Sequence, residues 1–105
     1  MHGYQLSFFT AQDRTVGYQS VSAHIVSVAR EMGLPGATVI AAGEGFGHDR
    51  RIHSAHFFEL GDQPIEVTLV LSAEQCDQLL ARLRSEKLRI FYVRTAVEFG
   101  VTGED

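Results

Sequence analysis

The chain has 105 residues, a length typical of one domain, so we predict a single domain over residues 1–105. Hydrophobic residues make up 45% of the chain, charged residues 21%, and the formal net charge is −4, which is ordinary for a globular protein. Because an acidic domain repels phosphate backbones, the charge argues against nucleic-acid binding.

The N-terminus and the cysteine content bear on where the protein resides. Cys76 is the only cysteine, so no intrachain disulfide can form, as is usual in reducing compartments. Met1 to Thr10 does not have the pattern of a signal peptide, and no stretch approaches the roughly 20 apolar residues that a membrane span needs. We expect a cytoplasmic protein with no direct membrane insertion.

The first half of the chain predicts a strand, a helix and a second strand. Tyr4–Thr10 alternates apolar and polar residues, as in a half-buried strand, and Ala11–Gly17 is a polar loop. Ser20–Met32 is a helix that Ser20 caps and that Gly33 and Pro35 terminate. Its apolar stripe consists of Val21, Ile25, Val28, Ala29 and Met32. Ala37–Ala42, small and β-branched, is the second strand.

The second half predicts three extended segments, two before and one after a second helix. Three glycines break the chain at Gly43–Gly47, and His48–Ala55 is predicted to be a polar, mobile segment. The extended segments are His56–Leu60, Ile65–Leu71 and Ile90–Val93, with a turn at Gly61-Asp62. Ser72–Arg84 is a helix that begins with a capping box of Ser72 and Gln75 and buries Cys76, Leu79, Leu80 and Leu83.

The order of these elements is strand, helix, strand, strand, helix, strand. It predicts an α+β fold, a ferredoxin-like βαββαβ sandwich in which a four-stranded antiparallel sheet carries two helices on one face. The other face of the sheet is then open. Phe9, Val70, Phe91 and Val93 have the strand parity of that face, so we expect self-association to cover it.

The segment Gly43–Arg51 has the strongest functional pattern. Its glycines let backbone N–H groups approach an anion, and Arg50 and Arg51 follow directly as candidate phosphate ligands. The alternative is a glycine-rich hairpin turn with two solvated arginines. Glu44 and His48-Asp49 stand where an RNA-recognition motif has a basic residue and an aromatic-valine pair, so that motif is absent.

Other candidate chemistry is weaker. His48, His53 and His56 could supply metal ligands, although surface loop histidines are the simpler interpretation. His24 lies beside the apolar stripe of the first helix and is predicted to be structural, and Cys76 to be an inert core thiol. Ser54 lacks a nucleophile elbow. We therefore do not expect an enzyme.

Three cations flank the last strand. Lys87 and Arg89 precede it and Arg94 closes it. In an oligomer these side chains could reach the glycine segment of a neighbouring subunit. Alternatively, Lys87 and Arg89 complement the C-terminus of the second helix.

The chain resembles the PII signalling superfamily at two motifs. Residues 36–39 read Gly-Ala-Thr-Val, and residues 43–47 end in Gly-Phe-Gly. The runs at 3–9, 51–57 and 65–68 resemble one subgroup in particular, the uncharacterised bacterial PII-like proteins of domain of unknown function 190. The likeness extends from about Gly3 to Gly100.

This resemblance implies a homotrimer with an adenine-nucleotide site between subunits and no required cofactor. Thr38, Gly45, Phe46 and Gly47 match nucleotide-contacting positions, and Glu66 and Val67 match a strand that lines the same cleft. A mobile loop in such proteins docks onto a membrane transporter or an enzyme. PII proteins also have a glycine-rich loop before the last strand and a C-terminal arginine pair, and neither is present here.

Two alternatives remain on the same scaffold. The first is a divalent-metal-binding trimer that resembles the divalent-cation tolerance proteins, with His48, His53 and His56 as ligands. The second is a scaffold subunit without a ligand, which acts only through its open sheet face and its loop.

Overall fold

The computed structural model describes residues 1–41, 44–46, 52–54 and 63–104. In chain order its elements are β1 (His2–Ala11), β2 (Thr15–Val16), β3 (Gln19–Ser20), α1 (Val21–Glu31), β4 (Thr38–Ala41), β5 (Glu44–Phe46), β6 (Ile52–Ser54), β7 (Pro64–Leu71), α2 (Ala73–Ser85) and β8 (Phe91–Glu98).

A four-stranded sheet organises the fold. Its strand order is β4-β7-β1-β8, and every neighbouring pair is antiparallel. The register places Leu6 opposite Leu69 on one side and opposite Arg94 on the other. Strands β4 and β8 form the two edges. The α+β ferredoxin-like fold predicted from the sequence is confirmed.

The core lies between one face of this sheet and both helices. Strand β7 alternates strictly, because Ile65, Val67, Leu69 and Leu71 are buried and the residues between them are more exposed. The helices contribute most of the predicted stripes, with Val21, Ile25, Val28 and Ala29 from α1 and Cys76, Leu79, Leu80 and Leu83 from α2. Met32, which was also predicted in the first stripe, is the C-cap residue of α1 and is only partly buried. All of these side chains join Leu6 and Phe8 of β1 in one hydrophobic cluster. The two helices therefore cover the same face.

Both helices begin at the predicted caps. The Ser20 hydroxyl accepts a hydrogen bond from the Ala23 N–H. At α2 the capping box is complete, since Ser72 Oγ accepts from the Gln75 N–H at 3.1 Å and Gln75 Oε1 accepts from the Ser72 N–H at 3.0 Å. Neither α1 nor α2, the helices of the described residues, is long and apolar enough to span a bilayer.

Two short hairpins depart from the sequence prediction. The predicted loop Ala11–Gly17 contains β2, which pairs with β3 across a two-residue turn at Gly17 and Tyr18. Gly17 has a φ of +61°, as the first central residue of a type II′ turn requires. In the segments predicted to be a strand break and a polar loop, β5 pairs with β6.

The last strand was predicted too short. It extends from Phe91 to Glu98 rather than from Ile90 to Val93, and Arg94 lies in its middle. The physical reason is that β1 offers a pairing partner along the whole length, from Phe9 opposite Phe91 to His2 opposite Glu98. The predicted segment His56–Leu60 and the turn at Gly61-Asp62 lie outside the described residues.

Candidate functional site

Several strands that adjoin predicted site residues in the sequence begin or end at one end of the sheet, which we call the loop end. Strand β1 ends there at Ala11, which pairs with Pro64 at the start of β7. Strand β4 ends there at Ala41, opposite Ile65, and β8 begins there at Phe91, opposite Phe9. The glycine segment follows β4 in the sequence, and the Lys87–Arg89 turn precedes β8 at the loop end.

These two groups belong to opposite edges of the sheet. Strands β4 and β8 are separated by β7 and β1, that is, by three strand spacings of about 4.8 Å each. The start of β8 therefore lies about 14 Å from the end of β4.

The α2–β8 turn has an unusual backbone at Lys87. This residue has a φ of +59°, in the left-handed region that glycine favours. The Lys87 N–H donates to the Arg84 carbonyl and the Leu88 N–H donates to the Leu83 carbonyl, which is the Schellman pattern. No glycine lies between Ser85 and Arg89, and Lys87 itself adopts the left-handed backbone conformation that glycine favours.

Arg14, in the loop between β1 and β2, contacts the same turn. Its guanidinium Nη2 donates a hydrogen bond to the backbone carbonyl of Arg89. Sequence reasoning did not find Arg14, because 75 positions separate the two residues and no local pattern links them. The structure thus brings a third cationic residue into contact with the backbone of the turn that contains Lys87 and Arg89.

Thr38 and Glu66 share the open face of the sheet. Thr38 lies opposite Thr68, and Glu66 lies opposite Ile40 on one side and Phe9 on the other. The Thr68 hydroxyl donates to Glu66 Oε2 at 2.7 Å. Because that hydroxyl has only one proton, Ser7 Oγ must be the donor in its 3.2 Å contact with Thr68 Oγ1. A chain of hydrogen bonds therefore crosses the open face from β1 to β7.

Val67 faces the other way. Its side chain is fully buried against the helices, so it does not lie on the face that carries Glu66. The side chain of Val67 therefore cannot line a cleft on the open face, and only its backbone could do so.

Arg94 contacts Asp77 and Tyr4 of the same chain. Its Nη1 lies 3.1 Å from Asp77 Oδ1 of α2, and its guanidinium carbon lies 4.6 Å from the centroid of the Tyr4 ring. These contacts place Arg94 on the helix face of β8, away from the Lys87–Arg89 turn.

Glu86 joins the two helices. It accepts from His24 Nε2 at 2.8 Å and from Arg82 Nε at 3.3 Å, and Arg82 also donates to Glu31 at 3.2 Å. The hydrogen bond from His24 is the main cause of a lowered pKa at Glu86, partly opposed by burial and assisted by Arg82. His24 therefore has the structural role that the sequence predicted.

Cys76 behaves as the predicted core thiol. Its side chain is fully buried, and burial raises the pKa of the thiol, while the neighbouring Arg94 acts in the opposite direction. A thiol of this kind is a poor nucleophile at neutral pH.

Part of the predicted site cannot be placed. Gly47, Arg50 and Arg51 lie outside the described residues, as do His48 and His56 of the metal alternative. The backbone of β5 and β6 puts Gly45 opposite His53 and Phe46 opposite Ile52. Among the residues that the structure describes, no three His, Cys, Asp or Glu side chains form a metal-binding group.

Comparison with solved structures supports the fold. CPII from Thiomonas intermedia K12, a nitrogen regulatory PII-like protein bound to ADP, AMP and bicarbonate, is 16% identical to the chain. That match covers 96% of this chain and 91% of CPII, with a TM-score of 0.67. A protein from Thermus thermophilus that is classed as a PII-like signalling protein is 15% identical, with a TM-score of 0.68 over 92% of this chain and 88% of that one.

Comparison at the level of sequence gives the family. No curated protein matches the chain. The profile of the DUF190 family, described as "Uncharacterized ACR", matches residues 3–98. The chain therefore belongs to the DUF190 family and has a PII-like, ferredoxin-like fold.

Proposed function

We propose that this single-domain chain is a cytoplasmic PII-like regulatory protein and not an enzyme. It assembles as a homotrimer and binds a small effector, an adenine nucleotide, in the clefts between subunits. The segment His48–Ala55, which includes β6, changes shape on binding and thereby regulates a partner, either a membrane transporter or an enzyme. Such a change is an order–disorder switch of the kind that ligands drive by differential affinity.

One observation carries this proposal. The end of β4 and the start of β8 lie at the same end of the sheet but on opposite edges, about 14 Å apart. The glycine segment that follows β4 and the cations that precede β8 would come together at one ligand if the β4 edge of one subunit faced the β8 edge of another. The fold relative that was solved with ADP and AMP supports the choice of an adenine nucleotide.

The open face supports self-association. Phe91 is 69% exposed, and its ring centroid lies 5.9 Å from that of Phe9 on the neighbouring strand. The same face exposes further large apolar side chains, namely Ile40, Val70 and Val93. Large exposed apolar side chains on one face of a sheet are typical of an interaction site.

Calorimetry over a panel of AMP, ADP and ATP tests the nucleotide site, with the mass measured in parallel by light scattering. The expected result is saturable binding to a trimer. The double variant Arg50→Ala, Arg51→Ala should bind more weakly by about 1.5–3 kcal/mol if either side chain forms a charge-assisted hydrogen bond to phosphate. Absence of binding to every nucleotide contradicts the proposal.

The metal alternative has a separate test. Titration with zinc or copper, with and without His53→Ala, gives no saturable binding if the nucleotide proposal is right. Tight metal binding that His53→Ala removes favours the divalent-metal trimer. An intact trimer that binds neither class of ligand favours the scaffold subunit.

A further inference from the structure

We propose that Arg14 is a phosphate-binding residue and that it forms, with Lys87 and Arg89, the site for the phosphate groups of the effector. This inference rests on the proposed function and specifies which residues hold the charged end of the ligand. Arg14 lies in the loop between β1 and β2, far in sequence from the other two cations, and the tertiary structure alone brings it to them.

The backbone N–H and the backbone carbonyl of Arg14 are both hydrogen-bonded. Its N–H donates to the Ala11 carbonyl at 3.1 Å, and its carbonyl accepts from the N–H of Val21, the first residue of α1, at 2.9 Å. The guanidinium end is held as well, by the Arg89 carbonyl. A side chain held at both ends loses little conformational entropy when it binds a ligand, so Arg14 is preorganised.

The charge of Arg14 is not neutralised by the contact that holds it. A guanidinium has five N–H donors, and a neutral carbonyl uses one of them without compensating the charge. No carboxylate forms an ion pair with Arg14 within the described residues, and its neighbour Asp13 is exposed. Donors that fit a phosphate in a bidentate manner therefore remain.

Lys87 and Arg89 keep their charges for a similar reason. The nearest carboxylate along the chain is Glu86, and its two oxygens are already bonded to His24 and Arg82. Neither Lys87 nor Arg89 forms an ion pair in the part of the chain that the structure describes. Arg14 thus contacts the backbone of a turn that carries two further cationic residues, in a chain whose net charge is −4.

A cluster of three cations fits an anion that carries several charges. A carboxylate offers one charge and two oxygens, whereas a di- or triphosphate offers several charges along a short chain. Lys87, two residues before the Arg89 carbonyl that Arg14 contacts, adds an ammonium group to the planar guanidinium of Arg14 among the cationic side chains that this turn can offer. The chemistry of the cluster therefore selects a polyphosphate end rather than a single carboxylate.

Inorganic pyrophosphate is the probe that isolates this cluster. In a titration of the full chain followed by NMR, the backbone amides of Asp13, Arg14, Lys87 and Leu88 should shift saturably. Arg14→Gln should weaken the affinity about ten-fold or more, as expected for loss of a charge-assisted hydrogen bond. The matched control is Arg30→Gln, an exposed arginine in the last turn of α1, which should change the affinity less than two-fold.

A second variant keeps the test decisive if Arg14→Gln does not fold. Lys87→Gln leaves the backbone hydrogen bonds of the turn in place and should also weaken pyrophosphate binding, by a similar factor. The inference is overturned if wild-type amides at the turn do not shift. It is equally overturned if the folded Arg14→Gln variant binds pyrophosphate as tightly as Arg30→Gln does.

The same proteins separate this inference from the proposed function. If ADP binds and Arg14→Gln leaves both ADP and pyrophosphate affinity unchanged, the nucleotide proposal stands and the role of Arg14 is wrong. If pyrophosphate binds through Arg14 but no nucleotide binds, the anion site stands and the nucleotide proposal is wrong. Adenosine, which has no phosphate, should bind wild type and Arg14→Gln equally.

Discussion

Two hydrogen-bonded side chains hold Glu86 at the junction of the helices. His24 from α1 and Arg82 from α2 both donate to its carboxylate, and the Glu86 side chain is 27% exposed. Because these donors favour the ionised form, the pKa of Glu86 in the folded protein is lowered from its ordinary value. Such a shift makes stability depend on pH.

The sign of that dependence follows from linkage. A carboxyl with a lowered pKa in the folded state contributes stability above its unfolded pKa of about 4.5, and this stability is lost as the pH falls through the folded pKa. Below about pH 5, wild type should therefore lose unfolding free energy more steeply than Glu86→Gln. Urea denaturation at several pH values measures this slope. A control is Glu98→Gln, which should retain the wild-type slope.

Gly3 is required for close contact between the two central strands. A Cβ at this position would lie 2.1 Å from the carbonyl oxygen of Leu71, a backbone atom of β7. Since Tyr4 pairs with Leu71, relief of the clash would separate β1 from β7.

Gly3→Ala should accordingly destabilise the fold by about 1–3 kcal/mol or more, as overpacking does. Chemical denaturation followed by circular dichroism gives the change. Gly100→Ala is the matched control, since an added Cβ there meets no atom within 4 Å. A Gly3→Ala variant as stable as this control would contradict the described pairing.

At the scale of elements, both helices end in the same motif with different residues. At α1, Gly33 has a φ of +71°, its N–H donates to the Arg30 carbonyl, and the Leu34 N–H donates to the Ala29 carbonyl. At α2, Lys87 takes the place of Gly33. A side chain in the left-handed region costs roughly 1–2 kcal/mol, so α2 ends at an energetic cost. Strain of this kind is typical of functional positions.

Lys87→Gly should raise the unfolding free energy by about 0.5–1 kcal/mol, since relief of strain outweighs the added entropy of the unfolded chain. Lys87→Ala is the control that removes the same charge without relief of the backbone. Thermal and chemical denaturation compare the pair. If glycine is no more stabilising than alanine, the left-handed conformation does not cost what we infer.

At the scale of the whole molecule, the two faces of the sheet have different roles. One face is sealed by α1 and α2, and the other combines exposed apolar side chains with the hydrogen-bonded chain of Ser7, Thr68 and Glu66. A polar group among apolar neighbours restricts the orientation of a docked protein surface, because each polar atom that becomes buried needs a hydrogen-bond partner. The open face is therefore suited to one defined association.

Phe91→Asp should shift the proposed trimer towards monomer, because a charge would replace the most exposed large apolar side chain of this face. Size-exclusion chromatography with light scattering measures the change. The control is Tyr18→Asp, which makes a similar change at a fully exposed side chain. Tyr18 lies in the β2–β3 turn, which is not part of the four-stranded sheet. If both variants remain trimeric, another surface holds the subunits together.

The sequence by itself determined the features that depend on near neighbours. The stripe of α1, the alternation of β7 and the capping box at Ser72 all arise from interactions within a few residues, so their periodicity is visible in one dimension. Together with the order of elements, they were enough to predict the fold and the buried thiol Cys76.

Only the tertiary structure decided what depends on distant partners. The length of β8 follows from its pairing with β1, and the position of Arg14 follows from a carbonyl 75 residues away. The left-handed backbone at Lys87 was equally hidden, because it is set by hydrogen bonds to α2 and not by the preference of lysine. Such features lie outside sequence patterns because contacts between remote segments, rather than local propensity, supply the free energy that fixes them.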